Sequence, residues 1–157
     1  MRRKKVYFET LPDAPKPVRF TITRKLRFSD ADPLGIAWHG NYPAFFEEAQ
    51  AELARLCGLT FGAYRNAGVA APVVQLHTDY YRSLYPDEQF SVTASMVWSE
   101  GARINTEYEI RNEDGELVCT GFTVQMFWGL KSREAFIFPP DVVAAMRERW
   151  TSGELHD

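Results

Sequence analysis

Two aspartates, a histidine and an asparagine fall close together in FSDADPLGIAWHGNYPAFFEEA, residues 28–49. Asp30 and Asp32 close an alternating run, Pro33 and Gly35 mark a turn, and His39, Asn41 and Pro43 lead into a helical pattern. A helix start carries backbone N–H groups without intrahelical partners and a partial positive charge, which stabilise a negative oxygen developing on an attacked carbonyl. A carboxylate beside that start has two uses there: it attacks the carbonyl itself or it activates water. Each residue also has a plainer use. Asp32 before Pro33 is a turn residue, Asn41 a helix cap, and His39 a side chain holding a loop at an element boundary. Asp30 and Asp32 as a metal pair lack a third ligand nearby, which makes Asp30 a turn or hydrogen-bonding residue.

The elements that must position this segment are legible from periodicity. From Val18 to Phe28 the even positions are apolar apart from Arg24, the pattern of a strand with one buried face. Tyr42, Phe45, Phe46, Ala49, Leu53, Leu56 and Cys57 follow helical spacing, with Pro43 in the first turn and Gly58 past the end. Glu47 and Glu48 fall on its solvated side. After a short link over residues 59–70, strand-like runs appear at Val73–Tyr81, Phe90–Trp98, Arg103–Arg111 and Leu117–Trp128. Pro86-Asp87 and Asn112-Glu113-Asp114-Gly115 are reversal signals, so consecutive strands pair antiparallel. Pro139–Trp150 has the spacing of a terminal helix. Residues 1–17 hold three of the nine prolines and read as an extended lead-in; residues 18–150 form one domain and 151–157 a loose tail. One helix between a first strand and four later ones is an α+β arrangement with the helix on one sheet face.

Composition narrows the classes. At 157 residues, 45% hydrophobic and 14% aromatic, the chain has the means to bury a sizeable core. A net charge of −3 with interspersed signs gives no electropositive face for nucleic acid. Cys57 and Cys119 lie on apolar patterns with no His or Cys at ligand spacing, and read as buried small hydrophobes. The basic MRRKKVYFET start lacks the apolar run of a signal peptide and no stretch has the length of a membrane span, so the expected location is cytoplasmic, without membrane partners.

The element order together with Asp30-x-Asp32-x-x-Gly35-x-x-x-His39-x-x-Tyr42 resembles the hotdog-fold acyl-CoA thioesterases of the 4-hydroxybenzoyl-CoA thioesterase type. Asp79-Tyr80-Tyr81-x-x-x-Tyr85-Pro86-Asp87 looks like that family's second strand and turn, and Glu100-Gly101-Ala102-Arg103 like the turn opening its fourth. The resemblance implies an antiparallel five-stranded sheet wrapped around a long central helix, with chains paired edge to edge as a homodimer or homotetramer and the active site at their interface. It implies an acyl-CoA substrate, no cofactor beyond the CoA that the substrate carries, and no metal. Asp32 is then the catalytic carboxylate, as nucleophile or general base, and the His39 backbone N–H polarises the thioester carbonyl. Gly35 allows close backbone approach, and Trp38, Asn41 and Tyr42 stand beside the substrate. A thiolate leaves without strong protonation, so an ionised acid and an oxyanion donor suffice. Arg82 and Arg103 are candidates for the CoA phosphates, since guanidinium suits phosphate oxygens. Trp38, Phe61 and Tyr64 are expected around the acyl group. Gln50 stands where the family often has a basic residue. Two other functions share such a fold: a hydratase or dehydratase of acyl thioesters, and a non-catalytic acyl-CoA or acyl-carrier binding module.

Overall fold

The computed structural model describes residues 6–155, and all statements below concern those residues. Five strands form one antiparallel sheet: β1 (Val18–Lys25), β3 (Val73–Tyr80), β4 (Gln89–Val97), β5 (Arg103–Asn112) and β6 (Leu117–Met126), in the order β1-β4-β5-β6-β3. Helix α1 (Tyr42–Leu56) lies against β1 and β4 on one face of the sheet. A short helix α2 (Phe61–Asn66) leads to a two-stranded ribbon of β2 (Val69–Ala70) and β7 (Trp128–Gly129). Helix α3 (Asp141–Thr151) closes the end of the sheet where Trp98 sits, with its Trp150 ring edge-on to Trp98 at 5.0 Å. This is the α+β layout that the periodicity implies.

The alternation has a direct physical outcome. Phe90, Val92, Ala94 and Met96 of β4 are buried beneath α1, while Ser91, Thr93 and Ser95 point the other way. From the helix, Phe45 meets Phe90 at 5.0 Å and Phe46 stacks on Tyr108 of β5 at 4.5 Å, nearly parallel. Phe46 reaches that depth because Gly121 of β6 has no side chain beneath it. A Cβ there would lie 2.4 Å from the His77 carbonyl oxygen and 2.6 Å from Cε2 of Phe46. Both cysteines are buried and free; burial pushes the Cys57 thiol up to about 11 and the Cys119 thiol up to about 12, so neither is a thiolate nucleophile.

Two strand ends and the C-terminal tail depart from expectation, and the lead-in adds to it, each for a physical reason. β1 ends at Lys25, not Phe28, because the Asp30 carboxylate captures the Arg27 N–H at 2.9 Å and turns the chain; Phe28 is left 88% exposed. β6 stops at Met126, because Phe127 turns into the core and Trp128 pairs with Ala70 instead. The tail is not loose over its described part: the Glu154 N–H returns to the Arg149 carbonyl and Leu155 joins the core. The lead-in is extended, but it is also pinned. Tyr7 donates its hydroxyl to Asp79 at 2.7 Å, Glu107 accepts the N–H groups of Tyr7 and Phe8, and both rings pack on Phe122.

Replacing Gly121 by Ala forces either the β3 backbone or the Phe46 ring to move, so a loss of about 2 kcal/mol or more of unfolding free energy is expected in urea denaturation.

Candidate active site

The segment from β1 to α1 is a tight hairpin held by its own backbone. Ala31 bridges Ala37, the Asp32 N–H donates to Ile36 at 2.9 Å, and Gly35 returns its N–H to the Asp32 carbonyl at 2.9 Å from a φ of +77°. The Asp32 carboxylate accepts the Leu34 N–H through Oδ1 at 2.8 Å, an Asx turn, which leaves Oδ2 without a hydrogen bond among the described residues. Asp32 is therefore both the turn residue and a half-buried carboxylate with one free oxygen.

Asp30 is the structural partner of that pair. It is buried, and its carboxylate takes the Arg27 N–H and the Arg27 guanidinium at 3.2–3.3 Å. Burial pushes its carboxyl up, but the Arg27 side-chain and backbone hydrogen bonds outweigh that and hold it below the ordinary carboxylate value. Its carbonyl accepts the Trp38 N–H at 3.0 Å and Asn41 Nδ2 at 2.7 Å. The expected Asn41 side-chain cap is thus corrected: Asn41 occupies the cap position, yet its amide ties the helix start back to Asp30 and caps nothing.

His39 opens a 3-10 turn, His39–Asn41, that runs directly into α1. The N–H groups of His39 and Gly40 have no acceptor among the described residues, as the first donors of a helix should. The Trp38 indole is half-exposed and folds over Gly40, while the exposed His39 ring stands 5.4 Å from it. A cleft of about 300 Å³ opens beside the turn, lined by His39, Tyr42, Ala37, Tyr80, Tyr81 and Arg82 among others. Tyr42 is buried there, and burial pushes its phenol up, so it stays neutral. Arg82 reaches the rim and pairs with Glu116 at 2.7 Å.

The structure thus brings Asp32, Gly35, His39 and Asn41 together on one hairpin and helix start, with Tyr42 and Arg82 beside them. It does not bring Arg103 there. Arg103 begins β5 at the end of the sheet away from the hairpin, about 30 Å along the strand from Asn112, and holds Asn105 instead. The expected acyl wall also divides, because Phe61 and Tyr64 line a second, larger cavity of about 1000 Å³ along the C-terminal half of α1 and Trp38 does not. Glu47 and Gln50 face that cavity too, whereas Glu48 pairs with Arg24. Sequence reasoning missed Tyr80, whose hydroxyl donates to the His39 carbonyl at 2.9 Å; the Asp79-Tyr80-Tyr81 run pointed to a strand and turn, not to this contact. Among the described residues no three His, Cys, Asp or Glu side chains stand close enough to hold a metal ion.

Compared with known sequences, residues 26–146 match the family model described as the Thioesterase-like superfamily. The chain belongs to this superfamily. A 1,4-dihydroxy-2-naphthoyl-CoA hydrolase of Thermosynechococcus vestitus is 24% identical over 134 residues, which cover 85% of this chain and 91% of that one. The solved DHNA-CoA thioesterase of Staphylococcus aureus superposes with a TM-score of 0.71 at 25% identity, covering 86% of this chain and 95% of its own. The 4-hydroxybenzoyl-CoA thioesterase of Pseudomonas sp. strain CBS-3 shares the fold with a TM-score of 0.70 at 19% identity, over 81% of this chain and 98% of its own. The sheet wrapped on α1 is accordingly the hotdog fold, and the activity at family level is acyl-CoA thioester hydrolysis. No described helix is long and apolar enough to cross a membrane.

Asp30 contributes stability that is fully present above the ordinary carboxylate value and lost as pH falls through its lowered folded value. Asp30→Asn should cost about 1–2 kcal/mol at pH 7, discounted for the exposed Arg27 end, and denaturation below about pH 4 should show the gap to wild type closing.

Proposed function

We propose that the chain hydrolyses an acyl-CoA thioester to a carboxylic acid and CoA, with Asp32 as nucleophile or general base and the His39 N–H as oxyanion donor. The observation that carries this reading is the hairpin itself, which holds a carboxylate with one free oxygen on one limb and two unpartnered N–H groups on the other. In the nucleophilic route an Asp32 oxygen bonds to the carbonyl carbon, the C–S bond breaks with its electrons going to CoA thiolate, and water cleaves the mixed anhydride. In the general-base route Asp32 takes a proton from water as the water oxygen attacks, and the same thiolate leaves. Both routes place negative charge on one carbonyl oxygen, so both gain from the same N–H donors.

Arg82, half-exposed at the cleft rim, suits the CoA phosphates better than Arg103 within one chain. A hydratase would need a histidine paired with an acid over the acyl carbons. Among the described residues the His–Asp pair is His77 with Asp79, and it packs with Tyr7 and Phe122 on the sheet face away from α1. Two buried free thiols fit a reducing compartment and hence a cytoplasmic location.

Asp32→Asn should lower thiol release by about 100-fold or more while leaving the unfolding transition in place. The assay uses acetyl-, palmitoyl-, benzoyl- and 1,4-dihydroxy-2-naphthoyl-CoA, the last because several similar proteins are named for it. Unchanged release would remove Asp32 from the chemistry, and no release from any of the four by wild type would favour the binding module.

The functional unit in this reading is at least a homodimer joined along β3. That edge strand is unpaired on its outer side and exposes half of Val73, Val74 and Leu76, whereas the other edge, β1, exposes Arg19, Thr21, Thr23 and Lys25. Leu76→Lys should shift the protein from dimer to monomer in light scattering and remove most activity with it. A monomeric wild type, or an unaltered dimer in the variant, would move the interface elsewhere.

A further inference from the structure

We propose that Tyr80 is a positioning residue for the thioester reaction: its hydroxyl holds the His39 carbonyl so that the turn presents two polarised N–H groups, those of His39 and Gly40. The inference rests on the reading of this turn as the oxyanion donor. Its origin is the start of α1. His39 lies in a 3-10 turn, where the residue 39 carbonyl takes the i→i+3 bond from the Tyr42 N–H, and Pro43, next in line for the α-helical i→i+4 bond, has no N–H to add. The remaining acceptor site of that carbonyl goes to the Tyr80 hydroxyl from β3, at 2.9 Å.

The consequence follows from peptide electronics. A hydrogen bond donated to a carbonyl polarises the whole amide, including its N–H. The peptide that Tyr80 polarises is the one joining residues 39 and 40, whose N–H belongs to Gly40. The preceding peptide is polarised in the same sense, because the Trp38 carbonyl accepts the Asn41 N–H at 3.0 Å and its N–H is that of His39. Both N–H groups are left without acceptors among the described residues. Thr78 extends the chain one step further by donating its hydroxyl to the Tyr80 oxygen at 3.0 Å. The Tyr80 ring itself is held edge-on to Tyr42 at 5.2 Å and lines the cleft beside His39, so the hydroxyl acts from a fixed wall of the site. Among the described residues Tyr80 makes no hydrogen bond to Asp32, so its proposed effect passes through the 39–40 peptide.

Tyr80→Phe keeps the ring and its packing and removes only the hydroxyl. With whichever of the four acyl-CoA substrates is hydrolysed fastest, kcat should fall by roughly 5- to 10-fold, about one hydrogen bond's worth, with KM and the unfolding midpoint unchanged. Thr78→Val should lower kcat by a smaller factor and Thr78→Ser should retain it. Wild-type kcat in Tyr80→Phe would overturn the proposal, as would a loss of kcat matched by a raised KM and a lowered midpoint, which is what a packing role alone would give. Asp32→Asn measured alongside separates the two levels: undiminished turnover there defeats the reading of the site, whereas a dead Asp32→Asn beside a fully active Tyr80→Phe defeats only the role of Tyr80.

Discussion

The height at which α1 rests on the sheet governs everything above it. Phe46 sits directly over Gly121 and stacks on Tyr108, so the helix approaches β5 and β6 as closely as a ring and a bare backbone allow. One turn earlier Tyr42 meets Tyr80, and with Tyr42 fixed the His39 turn is carried to the end of β3. A packing contact in the core therefore sets the position of backbone groups at the surface, because a helix transmits displacement along its axis with little loss.

The second dependence is electrostatic and local. Asp30 uses its carboxylate on Arg27 behind it and its carbonyl on Trp38 and Asn41 ahead of it, so one buried residue fixes both limbs of the hairpin. That arrangement leaves the Asp32 side chain, among the described residues, with a single Asx contact to the Leu34 N–H. Two acids two residues apart divide the work, one holding the turn and the other keeping an oxygen available. The division follows from environment: Asp30 is buried beside a guanidinium, whereas Asp32 is half-buried on a turn made of Pro33, Leu34 and Gly35.

Much of the frame was legible because it depends on periods of two and 3.6 over long runs. The strands around Phe90, Ile104 and Val118 and the helix from Tyr42 announce themselves by which residues must be dry. What escaped depends on contacts between distant residues. Asn41 reads as a cap until the Asp30 carbonyl, eleven residues earlier, is found within its reach. Phe28 continues an alternation that Asp30 has already broken. Leu155 is one apolar residue in a polar tail, too little to signal that it packs inward. The Tyr80 hydroxyl finds the His39 carbonyl across 41 residues, a pairing that only the folded sheet supplies.

The separation of the His39 cleft from the larger Tyr64 cavity bears on the dimer proposed above. The small cleft of about 300 Å³ holds the His39 turn and Arg82, while the cavity of about 1000 Å³ by Tyr64, Leu59 and Trp128 shares no lining residue with it. The apolar edge of β3 runs between these regions, with Val73 beside Pro72 at the cavity rim and Tyr80 at the turn. In the dimer proposed above, a two-fold axis across that edge would run the second β3 antiparallel to the first, so that the Tyr80 end of one strand meets the Val73 end of the other. In the proposed dimer each hairpin would be directed toward the opposite chain's cavity, and the exposed Val73, Val74 and Leu76 that make β3 a liability in a monomer would become the seam between the chains.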